Sequence, residues 1–218
     1  MKEKQRNKKH GTKVISKSKN RGPSKQPPSP APGSAPFNLG DMTNIKNLDD
    51  LMAKSEKYAN LFMHNAGFLI PVLFGIGLDG PFLLVSTSLD GEGQKDTFTG
   101  TAKLMCIAHA ATACVMTAAI WMDQNGDETV RPSESPSRRE YVMLSGESQR
   151  EGLKLHFLPI IRSDDGKFAG FGKCESIPID TMTGRFAHLL PATPPDEAAR
   201  QAAKAILNKK GVDITERG

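Results

Sequence analysis

The closest match to a known chemical spacing in this chain of 218 residues is an acidic one. Asp123, Asn125, Asp127, Thr129, Arg131 and Glu134 fall on the ligand positions of a calcium-binding EF-hand loop, where alternating oxygen donors surround a hard cation. Asp123, Asn125, Asp127 and Glu134 are the residues such a cation would use. The pattern is incomplete. The position that needs glycine for the tight turn is Glu128, Pro132 interrupts the loop, and no helix follows. A solvated acidic loop is the simpler expectation, and no metal or other cofactor is expected.

Gly75, Gly77 and Gly80 match the spacing of a dinucleotide fingerprint. That chemistry needs a helix next, because the helix N-terminus holds the pyrophosphate. The residues that follow, Pro81-Phe-Leu-Leu-Val, read as a strand, so a glycine-rich hairpin is expected. Cys106 and His109 stand three apart on a helical pattern, the minimum for a thiolate–imidazole pair. Their helix is apolar, and a buried thiol is normally inert. His10, His64, His109, His156 and His188 show no metal-ligand spacing. Leu144-Ser-Gly-Glu-Ser lacks the first glycine of a nucleophile elbow. Glu140, Glu147, Glu151 and Glu175 would need the fold to gather them. Arg138, Arg139 and Arg162 either frame an anion or protect strand edges.

The strongest physical signal is the N-terminal charge. Residues 1–36 carry ten cations, Lys2, Lys4, Arg6, Lys8, Lys9, Lys13, Lys17, Lys19, Arg21 and Lys25, against one acid, Glu3. The net charge of the chain is +5, so residues 37–218 sum to −4. The basic tail suits a polyanion, whether nucleic acid, an anionic membrane or an acidic protein, with strong salt dependence; the alternative is a solubilising extension or an address. It holds no aromatic side chain for base stacking, so such binding would ignore sequence.

The elements around these residues follow from periodicity. Residues 1–36 are Lys-, Ser- and Pro-rich and cannot bury enough apolar area to fold, so a disordered tail is expected. A globular domain is placed at 37–190 and a C-terminal linker and helix at 191–218. The spacing predicts a helix over 45–65, with an apolar stripe through Leu48, Leu51, Met52, Ser55, Tyr58, Ala59, Phe62 and Met63. A hairpin follows over 68–87, with a turn at Asp79-Gly80. A loop at 90–96 leads to a second helix over 97–111, capped by Asp96. Ala113–Met122 is apolar on both faces and reads as a central strand. A polar loop at 123–138 leads to an antiparallel meander of three strands, 139–147, 153–162 and 168–174. A last helix is expected over 194–210, capped by Thr193 and thinly apolar.

The fold class is therefore α+β. A single, mostly antiparallel sheet of about five strands carries helices on its faces, in the order α-β-β-α-β-β-β-α. In element order alone, over about residues 45–175, this resembles roadblock domains and, more loosely, profilin-like domains. The resemblance transfers no function.

No acid–base pair or cysteine-rich metal site stands out, which leans away from an enzyme. The expectation is a small interaction or binding module. Its basic tail would meet polyanions, and a sheet edge near Phe82–Thr87 or beyond Phe168 would pair with another protein or a second copy. The alternative is a small-molecule sensor or enzyme with a pocket between the 75–81, 90–96 and 123–138 loops. Three cysteines without a CxxC pair point to a reducing, cytoplasmic setting. No run approaches the roughly 18–20 apolar residues of a membrane span, and no secretory signal is expected.

Overall fold

The computed structural model describes residues 44–86, 89, 91–123, 132–177, 179 and 184–212. The basic tail, with all ten of its cations, lies outside them, as do Asn125 and Asp127.

Helix α1 spans Leu48–Ala66. It starts where Asn47 accepts from the Asp50 amide and ends at Gly67, whose left-handed φ of 75° few other residues adopt readily. Its buried residues are the expected stripe, with Phe62 only partly covered. Strands β1 (Val72–Gly77) and β2 (Gly80–Val85) form a two-residue hairpin. Pro71 precedes β1, so its missing donor does not interrupt the ladder.

Helix α2 covers Glu92–Ala108 and so takes in most of the expected 90–96 loop. Its start is fixed locally by the Gln94 side chain, which accepts from the Gly91 amide, and by a Glu92–Lys95 ion pair. Arg185, far along the chain, adds a second set of contacts, pairing with both Glu92 and Asp96. Asp96 is therefore a mid-helix ion-pair partner rather than the cap.

Strands β3 (Ala113–Asp123), β4 (Arg138–Ser148), β5 (Gly152–Arg162) and β6 (Phe168–Phe171) complete the main antiparallel path, β2-β1-β3-β4-β5-β6. A seventh strand, β7 (Glu175–Ile177), beyond the three strands of the expected meander, also pairs with β5. Helix α3 spans Glu197–Lys209 and is capped by Asp196, which accepts from the Ala199 amide, three residues beyond the expected cap.

The sheet separates two cores. On one face α1 packs on Val72, Phe74, Val115, Val142, Leu144 and Leu158. On the other, α2 and α3 cover Leu73, Phe82, Cys114 and Met116. β3 is thus central and covered on both sides, as its two apolar faces require. The thin apolar face of α3 is docked: Ala203 and Leu207 are buried, and Arg200 reaches Asp79 of the β1–β2 turn at 2.8 Å. No helix among the described residues is long and apolar enough to cross a membrane.

Candidate functional site

Among the described residues, β2 lies at an edge of the sheet with no strand on its outer side. Ser86 donates to Pro71 at 2.9 Å, which sets the phase of the β1–β2 ladder. Hydrogen-bonded pairs alternate in an antiparallel ladder, so Leu84, Phe82 and Gly80 turn their amides and carbonyls inward to β1. Pro81, Leu83 and Val85 turn theirs outward. Pro81 has no amide to expose, which is where an edge strand tolerates proline.

A groove of about 320 Å³ runs beside this edge, between β2 and the N-terminal half of α2. Leu84 and Phe98 supply apolar walls, with Gln94, Thr97 and Thr101 from the helix. The threonine hydroxyls are spent within the helix: Thr97 donates to the Gly93 carbonyl and Thr101 to the Thr97 carbonyl, each at 2.8 Å. Gln94 is held by the Gly91 amide. The groove is therefore more apolar than its residue types imply.

The three fingerprint glycines have structural duties in the hairpin. A Cβ on Gly75 would fall 2.1 Å from the Phe82 ring, and one on Gly77 would fall 2.0 Å from the His109 carbonyl oxygen. Gly80 holds a φ of 109° in the turn. His109 stacks on Phe82, with centroids 4.5 Å apart and planes 12° apart.

The cysteine and the glutamates weighed for chemistry have other engagements. Cys106 meets Cys114, and this hydrogen bond, together with burial and the nearby Glu147, holds the Cys114 thiol well above its ordinary value. Both thiols are buried and suit packing rather than nucleophilic attack. Glu147 is buried and accepts from the Leu189 and Leu190 amides at 2.9–3.1 Å. Glu151 accepts from the Leu48 amide at 2.8 Å, satisfying the first turn of α1, and pairs with Lys154. Glu140 makes a two-pronged pair with Arg162 at 2.8 and 2.9 Å. Glu175 sits on β7, exposed. Three of the four glutamates thus serve three separate contacts, and the fold does not gather them into one site.

Of the acidic loop, Asp123 accepts a hydrogen bond from Ser137, and Glu134 is exposed on a short 3-10 turn at Pro132–Glu134. Among the described residues no group of three or more His, Cys, Asp or Glu could hold a metal ion. His64 packs edge-on against Phe168 at 4.8 Å, His156 pairs across to Leu144 and Ser176, and His188 adopts a left-handed φ of 54°. Arg138 lies over the Trp121 ring at 5.1 Å.

No family model, no curated protein and no solved structure matches this chain.

The 75–81 hairpin and the 90–96 segment are at opposite ends of α2. Leu78 donates to the His109 carbonyl at the C-terminal end, while residues 92–96 form the first turns. A helix of 17 residues separates them by about 25 Å. Among the described residues, the groove on β2 and α2 thus lies at the 90–96 end.

One pH effect arises here. Glu92, hydrogen-bonded to Lys95 and Arg185, is held down to about 2. A carboxylate whose value is depressed on folding gives stability that is present above its unfolded value, about 4.3, and lost as pH falls toward 2. In an NMR acid titration Glu92 should titrate well below the free-peptide value. In Arg185→Gln its titration should move up, with Lys95 alone remaining. The side chain is exposed, so salt should shrink the shift.

Proposed function

We propose that this protein is a non-catalytic interaction module that takes an extended strand of another chain onto the β2 edge, while its basic tail holds a polyanion. The observation that carries the reading is the edge itself. From Gly80 to Ser86 no side chain is charged, three residues turn their backbone outward, and an apolar groove lies alongside. An added strand would satisfy the outward groups of Leu83 and Val85 and drop alternate side chains into the groove. The opposite edge is different. It is broken into two short strands, its register shifts at Ile161/Arg162, and Lys167, Lys173 and Glu175 flank it. Those are the means by which proteins close an edge to pairing.

Selection of displayed random peptides against the full chain at low density tests the edge. Peptides with alternating apolar residues should be enriched and should bind Val85→Lys at least about tenfold more weakly, since an edge lysine opposes strand addition. Binding equal to the unmodified chain would sink the reading.

The tail is tested on a DNA duplex of arbitrary sequence. If 6–10 of its cations meet phosphates, affinity should fall by about 10³–10⁵ between about 50 and 200 mM salt. Replacing all ten tail cations with Gln should abolish both the binding and its salt slope. An unchanged slope would remove the tail's role.

A further inference from the structure

We propose that the chain that fills the β2 edge is a second copy of this protein, its β2 pairing antiparallel to the first about a two-fold axis through Leu83; this rests on the strand-accepting edge described above. The outward pattern is self-complementary. With Leu83 opposite Leu83 of the second copy, the two residues exchange both hydrogen bonds. Each Val85 amide then meets the Pro81 carbonyl of the other copy. The donor that Pro81 lacks is missed only at the ends of the pairing, where the Val85 carbonyl remains open to water.

The absence of charge favours a copy over a foreign strand. Across a two-fold axis every side chain near the centre faces its own kind, so any charge there would repel itself. Residues Gly80–Ser86 carry none.

Helix α2 carries the same message independently. An axis perpendicular to the sheet puts both α2 helices on one face, side by side. Gly93, Thr97, Gly100 and Leu104 follow one another at four- and three-residue steps along α2, which aligns them on one uncharged side. Gly93 and Thr97 line the groove beside the edge. A Cβ on Gly93 or Gly100 would meet nothing within 4 Å, so packing inside the chain does not require either glycine. Glycine inside a helix costs about 1 kcal/mol relative to alanine. A close approach by the second α2 gives those glycines a purpose.

Sedimentation velocity of the full chain from about 1 to about 100 μM tests the proposal. A dimer is expected, with Val85→Lys and Gly100→Glu each weakening association at least about tenfold. Gly100→Glu should also raise helix stability, so loss of the dimer in that variant is not unfolding. Leu83→Cys, in a Cys174→Ser background, should form a covalent dimer on mild oxidation, because hydrogen-bonded pairs stand about 5.5 Å apart at Cα. A monomer throughout the range overturns the proposal. So does a dimer indifferent to both charged variants. If the chain is monomeric yet selected peptides still depend on Val85, only the second copy is wrong. If the peptides ignore Val85→Lys, the edge reading itself fails.

Discussion

Gly77→Ala is expected to destabilise the domain by about 3 kcal/mol or more, or to prevent folding, as followed by urea denaturation. The added carbon would lie 2.0 Å from the His109 carbonyl oxygen, a backbone atom that cannot rotate away. That oxygen also accepts from the Leu78 amide at 2.9 Å, so relieving the clash breaks the contact that seats the hairpin on the end of α2. The neighbouring glycines calibrate the effect. Gly75→Ala meets the Phe82 ring, which is a side chain but is pinned by its stack on His109. Gly80→Ala meets nothing, and its cost is the backbone strain of φ 109°, about 1–3 kcal/mol. A dinucleotide loop would behave differently, because its glycines make room for a ligand and their substitution would affect binding before stability. Gly77→Ala as stable as the parent would show that the hairpin is not seated as described.

The second large effect is expected at Glu147. Removing its carboxylate with Glu147→Ala should cost about 2–5 kcal/mol, because the Leu189 and Leu190 amides lose their acceptor and Leu189 lies within the core. Glu147→Gln keeps one carbonyl acceptor of the same reach, so its cost should be clearly smaller. Hydrogen exchange identifies the mechanism. In Glu147→Ala the Leu189 and Leu190 amides should lose protection before the strands of the sheet do, as the segment lifts from the α2 side. Uniform loss of protection would mean that the carboxylate supports the whole sheet rather than this segment. The duty of Glu147 is thus to hold a length of chain that has no regular structure of its own.

Much of this was legible in local patterns. The α1 stripe set which face of that helix is buried, and Asn47 and Gly67 set its ends. The doubly apolar Ala113–Met122 run marked the central strand, and the Asp79-Gly80 signal marked the hairpin, whose two-residue loop is Leu78-Asp79, one residue earlier. That β2 ends the described strand order was foreseeable, because a strand after a hairpin has one neighbour assigned and one side open. Helix α2 begins before Asp96 because a local cap, the Gln94 side chain accepting from the Gly91 amide, outcompetes the one Asp96 offers, and Arg185 then bridges Glu92 and Asp96 from more than 80 residues away. Short β7 exists by pairing with β5, since three residues carry too little periodicity to announce a strand.

The chain by itself determined the order of the longer elements, the sign of charge in the tail and the domain, and the two-faced burial of the sheet. These depend on residue type and on periods of two and 3.6, which are written locally. Only the tertiary structure decided which acids are spent and where the open surface lies. Glu140, Glu147, Glu151 and Asp79 look alike in sequence, yet they serve an arginine clamp, a buried pair of amides, a helix start and an anchor for α3. Their partners are 22 to 121 residues away, a separation no local pattern encodes. The groove beside β2 is a tertiary product for the same reason: its walls come from a strand and a helix that meet only when the sheet is assembled.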